Sequence, residues 1–390
     1  MGFHDFRRQN DAPGGGPPPP PLWEAWRDQF PVTERLVYLN HAAVAPLSRR
    51  ASEAMRGQAE DALLHGALHY DRWLESYSGL RRSAATLCNA DPAEIAITKN
   101  TSEGIATVAL GLDWKPGDRV IAFREEFPAN YYIWKKLEDW RGVRVEWLGY
   151  LDSSAKIEAA ARGARLLAIS FVQYLSGHRA DLETLGAICR RHGVFFFVDA
   201  IQGLGAFPLD VRRMNIQALA ADGHKWLLGP EGCGILYVQR DWQDRIEPVE
   251  FGWTNVAGFA DYASRDMTLR RDAGRYECGT LNTIGCFGLR AAIGLLLEVG
   301  VERVAAHVQA LGGRLAAGAA ARGYEVLGPP TPATGSGIVS IRKPGLDSRL
   351  AWSKLRDNGV LAAPRQGWLR LSPHFYVSPA DIDRVLDLLP

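Results

Sequence analysis

The sequence is short of several things, and each shortage narrows what the chain can be. Net charge is almost absent: 45 Lys and Arg face 44 Asp and Glu, a formal +1. So balanced a chain has no electrostatic hold on nucleic acid or on an anionic membrane surface. Cysteine is scarce. Cys88, Cys189, Cys233, Cys278 and Cys286 are odd in number and scattered, with no CxxC pair and no His at metal-ligand spacing. That argues against a disulfide framework, gives no metal site, and suits the reducing cytoplasm. Long apolar runs are missing as well. Stretches such as 194–198 are strand-length, far short of the ~20 residues of a membrane span. The opening MGFHDFRRQN has charges but no apolar stretch behind them, so no secretory signal is expected.

What is present is a large apolar fraction, 47% of 390 residues. This is enough for one large domain and a smaller one. Residues 13–21 read PGGGPPPPP, a low-complexity run that cannot pack a core. Residues 1–21 are therefore expected to be a disordered tail, and 22–49 a segment packing on the small domain. The pattern over 50–283 predicts a large domain. Helical spacing runs from Ser48 to about Cys88. Short β-rich runs follow at 95–98, 120–123, 143–148, 166–171, 194–198, 218–221 and 235–238, separated by amphipathic stretches. Apolar strands without clean alternation, divided by helices, predict a mostly parallel seven-stranded sheet covered on both faces. Residues 284–390 predict a smaller α+β domain, with strands near 324–327, 337–341 and 368–371 and a capped helix over 378–389.

Three segments follow strand candidates, at the sheet edge where ligands of α/β proteins sit. In KNTSEG, Thr101 and Ser102 open a helix whose free N–H groups suit a phosphate; taken alone, an ordinary N-cap is the commoner explanation. In FFFVDAIQG, Asp199 follows five apolar residues and is either a loop cap or the partner of a buried cation. In ADGHKWLLGPEG, Lys225 sits among His224, Trp226, Leu227 and Leu228. Desolvation there lowers a lysine pKa and frees the amine, though an isolated lysine is more often a snorkelling surface residue. Together the three segments offer a phosphate cup, a carboxylate for a basic ring nitrogen, and an amine for an aldehyde.

The stretches YLNHAAVAPL, KNTSEG, REEFPANYYIW, FVDAIQG, DGHKWLLGPEGCGILYV, YECGT and LRLSPHFY resemble the class V aminotransferases of the fold-type I pyridoxal-phosphate enzymes. That family also holds the cysteine desulfurases and an isopenicillin-epimerase-like branch. The resemblance implies that Lys225 carries the cofactor as a Schiff base and then shuttles protons. It implies that Asp199 pairs with the pyridinium, that Gln202 bonds the phenolic oxygen, and that Phe127 stacks on the ring. Thr101, Ser102 and His224 would hold the phosphate. Thr280 would reach the phosphate of a partner subunit, so a homodimer with shared sites is implied. Arg370 would grip the substrate carboxylate, with Asn40 and His41 near the substrate; His41 is as readily a structural loop residue.

The chain departs from the desulfurases in three places. Phe127 stands where they carry His. Asp222 stands where they carry Ser, and an anion does not bind a phosphate dianion. No Cys follows Cys286, so the loop before Arg370 lacks the thiolate that persulfide chemistry requires. The expected function is amino transfer on an amino acid, through an external aldimine and Cα proton transfer by Lys225. A C–S lyase or an epimerase on the same scaffold is the alternative, and a cofactor-less binding protein a third. The roles of Gln173, Tyr174, Asp222 and Arg365, and the identity of the amino acid, stay open.

Overall fold

The structure, a computed structural model, describes residues 20–390. The tail expected over 1–21 lies outside the described residues except for its last two positions. In chain order the strands are β1 (Val37–Tyr38), β2 (Ile95–Thr98), β3 (Arg119–Phe123), β4 (Arg144–Leu148), β5 (Leu166–Ser170), β6 (Phe195–Asp199), β7 (Ala218–Asp222) and β8 (Gly234–Val238). The chain continues with β9 (Glu325–Val326), β10 (Val339–Arg342), β11 (Val360–Leu361), β12 (Ala363–Arg365) and β13 (Trp368–Leu371).

Seven strands form the large sheet in the order β2-β8-β7-β6-β5-β3-β4. Only β8 runs against its neighbours. The other six point the same way, so the loops after β2, β3, β5, β6 and β7 emerge on one edge. The strands are legible as near-continuous apolar runs because both faces are buried. In β6, Phe196 and Val198 enter one core and Phe195 and Phe197 the other. Burying each such ring contributes about 1.5–3 kcal/mol.

The helical stretch expected over 48–88 is two helices, Arg49–His65 and Tyr70–Cys88. Gly66 ends the first with φ +59°, a left-handed conformation that costs glycine little. Both helices pack on the helix Thr283–Val299. That helix therefore joins the large domain to the small one, and the expected boundary at 283/284 falls at its first turn. The small sheet has the order β12-β13-β10-β9. The final helix, Pro379–Leu388, carries the expected Ser378 cap, closed reciprocally with Asp381.

The segment before residue 50 lies against the small domain. Arg27 pairs with Asp381 at 2.8 Å, Phe30 stacks on Tyr376 with centroids 3.7 Å apart, and β1 pairs in parallel with β11. Among the described residues no single helix is long and apolar enough to cross a membrane.

Candidate active site

Lys225 lies on a tight turn that follows β7. The Gly229 N–H donates to the Gly223 carbonyl at 2.8 Å, and the Leu228 N–H to the Lys225 carbonyl at 3.1 Å. A Cβ on Gly223 would stand 2.6 Å from the Cys233 carbonyl oxygen, so only glycine fits there. Leu228 adopts φ +59°, which a bulky L-residue rarely does. Such strain costs about 1–3 kcal/mol and persists where surrounding packing enforces it; Trp226, Leu227 and Leu228 are all buried.

The turn delivers the Lys225 amine into the interior, where 8% of the residue is exposed. Nζ makes no hydrogen bond or ion pair among the described residues; it lies 5.5 Å from the centroid of the Phe127 ring. Burial pushes its pKa down to about 8, with Asp199 opposing and Arg370 reinforcing the shift. The amine is thus about half neutral near pH 8 and mostly charged at pH 7.

Asp199 ends β6 and is buried. One carboxylate oxygen accepts the Ile201 N–H at 3.1 Å, and among the described residues no ion pair engages the other. Burial raises its pKa to about 6, against the pull of the Ile201 N–H and of Lys225. A carboxylate so placed gains from a nearby cationic N–H. Gln202 is fixed from both sides. Its Nε2 donates to the Ala42 carbonyl at 2.9 Å and its Oε1 accepts the Trp226 indole N–H at 2.8 Å, leaving one amide N–H free.

At the helix Thr101–Gly111, the N-cap is Asn100, whose side chain accepts the Glu103 N–H at 2.9 Å. Thr101 and Ser102 are thereby spared that duty. The Thr101 hydroxyl accepts the Asp222 N–H at 3.0 Å and keeps its own proton to donate; Ser102 is exposed. His224 Nδ1 lies 3.0 Å from Asp222 Oδ2, close but misaligned for a hydrogen bond. One Asp222 carboxylate oxygen therefore faces the imidazole, and the other accepts the Gly223 N–H at 2.7 Å. Thr280 is exposed on this chain, at the rim of a cavity lined also by Lys99 and Cys278.

Arg370, on β13, is buried without a carboxylate partner. One Nη donates to the Tyr174 carbonyl at 2.7 Å, while the buried Nε has no acceptor. Burial, helped by Arg365, lowers its pKa to about 10, so it stays charged at pH 7. An unpaired buried guanidinium beside Lys225 suits a ligand carboxylate. Arg365 itself is exposed. The side-chain amide oxygen of Asn40 is also buried, with no hydrogen-bond partner among the described residues.

His41 requires a correction. It is completely buried, Nδ1 donating to the Ser372 carbonyl at 2.8 Å and Nε2 accepting from the Tyr376 hydroxyl at 2.6 Å. Burial lowers its pKa to about 4. Both ring nitrogens are used, so it joins the N-terminal segment to the small domain and has no atom left for substrate. Gln173 also becomes clear. Its amide nitrogen donates to the Glu125 carbonyl, and its oxygen accepts the N–H groups of Leu175 and Ser176, which shapes the loop carrying Tyr174.

Sequence reasoning missed Glu126, hidden in the Glu125–Glu126 pair beside Phe127. It is buried, with Oε1 accepting the Ser170 N–H at 2.6 Å and Oε2 bonded to the Ser170 hydroxyl. Ser170 is the register partner of Asp199, so Glu126 ties the Phe127 loop to the strand beside that carboxylate. Burial raises the Glu126 pKa from 4.5 to about 8, the Ser170 bonds opposing and Asp199 reinforcing. Stability from this neutral acid is full below pH 4.5 and is lost as pH rises to about 8. Glu126→Gln should flatten the dependence of apo-protein Tm on pH across that window, leaving the lower part of the slope to Asp199. A Tm–pH curve parallel to that of the parent would contradict the assignment.

The groups on this edge fit a coenzyme with a phosphate, a basic ring nitrogen and an aldehyde: free N–H donors, an under-bonded buried carboxylate, and an unpaired buried amine. The comparisons point the same way. The chain is 29% identical over 387 residues to a probable cysteine desulfurase of Pyrococcus abyssi, covering 93% of this chain and 96% of that one. It is 27% identical over 372 residues to the uncharacterised aminotransferase YcbU of Bacillus subtilis, covering 94% and 97%. Among solved structures, the cystine C–S lyase C-DES aligns at a TM-score of 0.86 and 25% identity, over 93% of this chain and at least 98% of that one. One of its structures holds the product cysteine persulfide; another, a mutant, has glycine covalently linked to the PLP cofactor. The model of the class V aminotransferases matches residues 37–384, and this chain belongs to that family.

Proposed function

We propose that the protein is a pyridoxal-phosphate-dependent enzyme that moves the amino group of an amino acid, with Lys225 as the proton carrier at Cα. The observation that carries this reading is the buried, unpaired Lys225 amine between Asp199 and Arg370 in charge terms. When bound, the cofactor supplies a carbonyl for attachment to an amine and a cationic ring that withdraws electrons. Asp199 would hold the ring nitrogen protonated, and the free Gln202 N–H would face the ring's oxygen. Thr101, Ser102 and His224 would hold the phosphate at the helix N-terminus. Arg370 and the Asn40 side-chain amide would orient the substrate, and Phe127 would cover the ring. Lys225, neutral in part near pH 8, can take a proton from Cα and return it elsewhere.

Desulfuration through an enzyme persulfide is not part of this reading. Four of the five thiols are buried, and Cys278 is engaged with Glu250 at 3.4 Å. A C–S lyase is the second reading, favoured by the likeness to the cystine C–S lyase C-DES, whose reaction product is cysteine persulfide. Incubating holo-protein with an amino-acid panel, with and without a keto acid, separates them. Amino transfer that depends on the keto acid is expected. Pyruvate, ammonia and a thiol formed without keto acid would mean a lyase, racemisation alone an epimerase, and no cofactor absorbance a binding protein.

A homodimer is also proposed, in which Thr280 completes the partner's phosphate site. Exposed Leu63, Leu64, Leu68, Tyr70 and Leu74 offer an apolar surface on the same side as the Thr280 loop, where Tyr70, Leu74 and Thr280 line one cavity. The unpaired cysteines suit a cytoplasmic setting.

A further inference from the structure

Along the same carboxyl edge of the sheet lies a cavity of about 610 Å³ formed by the ends of β3 and β4, the loop after β5 and the small domain. Apolar surface predominates, from Tyr150, Leu151, Leu175, Leu327 and Trp368, while Arg124, Glu125, Gln173 and Gln366 add polar groups to the wall. The volume lies within the ~300–1,000 Å³ typical of small-molecule sites, and an apolar lining with few polar groups is their usual character.

Tyr174 lines this cavity and also touches Arg370 and Phe127. Its carbonyl holds Arg370 at 2.7 Å, and its ring meets the Phe127 ring edge-on with centroids 5.4 Å apart. Its hydroxyl accepts from Gln366 Nε2 at 2.7 Å, across the mouth of the cavity. Tyr174 thus ties the cavity wall to Arg370 directly, and to the Lys225 amine through Phe127, whose ring centroid lies 5.5 Å from Nζ. The wall is held in place from behind. Tyr150 donates its hydroxyl proton to the Ser170 carbonyl at 2.5 Å, and Arg342 lies over the Trp368 ring at 4.4 Å.

We infer that this cavity is the side-chain pocket for the substrate, and that the substrate is an amino acid with a large apolar or aromatic side chain. The inference rests on the amino-acid reading of the Lys225 site. Small side chains would leave the pocket unfilled, and each methylene placed in an apolar pocket is worth roughly 10- to 200-fold in selectivity. The Tyr174–Gln366 bond is the contact such a side chain displaces or passes.

The test titrates holo-protein with phenylalanine, leucine and alanine, reading the change in cofactor absorbance to obtain Kd. Phenylalanine and leucine should bind at least about tenfold tighter than alanine. Leu327→Trp, at a half-exposed position, should fill the pocket, weakening phenylalanine about tenfold and leaving alanine within about twofold. Leu151→Trp on the exposed rim repeats the test if the first variant does not fold. Equal binding of alanine and phenylalanine, or equal loss of both in the variants, would overturn the inference. Parent protein without a cofactor band would instead overturn the reading of the Lys225 site.

Discussion

Lys225→Ala should lose turnover by at least about 10³-fold while keeping the fold. General acid–base catalysis alone contributes ~10²–10⁴-fold, and the variant also loses the covalent hold on the cofactor. The amine makes no hydrogen bond or ion pair that the fold relies on, so apo-protein Tm should hold or rise slightly. Asp199, Thr101, Ser102 and His224 remain, so the cofactor should still bind, reversibly, with the absorbance of the free aldehyde. Lys225→Arg separates charge from chemistry: it keeps a cation but cannot give up its proton at neutral pH, and should be as inactive as the alanine variant. Either variant retaining the parent's band and turnover would remove Lys225 from the centre of the account.

Arg370→Leu has the second largest expected effect, with opposite signs for activity and stability. The guanidinium is buried; among the described residues its Nε is unpartnered and its only bond is the one to the Tyr174 carbonyl. In the free protein such a charge is a burden, and replacing it with an apolar side chain is often neutral or stabilising. Apo-protein Tm should therefore stay level or rise. Removing one partner of a buried charged pair costs about 2–5 kcal/mol, so substrate kcat/KM should fall by tens to thousands of fold. The loss should fall mainly on KM, since the carboxylate is held alike before and during reaction. Arg370→Lys should recover only part, lacking the two-pronged geometry. A collapse in Tm with unchanged KM would make Arg370 a structural residue.

Much of this was legible in the sequence, for identifiable reasons. The strands of the large sheet were visible because burial on both faces writes them as plain apolar runs, as in Phe195–Asp199. Lys225, Asp199 and the Thr101 helix start were visible because each follows such a strand. What escaped depends on contacts between distant residues. The two-residue pairing of β1 with β11 has no pattern of its own. His41 looked available because its partners, Ser372 and Tyr376, are more than 330 positions away. Asp222 looked misplaced beside a phosphate; only the fold shows its carboxylate turned to His224. Glu126 stood in a pair of acidic residues that reads as surface, and its partner Ser170 lies on another strand. The helix break at Gly66 was the one omission with a local signal, a glycine in the middle of the helical stretch.

The central claim is that Lys225 is the residue that holds the cofactor. Reducing the holo-protein with borohydride fixes any lysine–cofactor bond, and peptide mapping by mass spectrometry then locates it. The account predicts a single pyridoxyl adduct, on the peptide containing Lys225. An adduct on another lysine, or none in protein that carries the cofactor band, would contradict it.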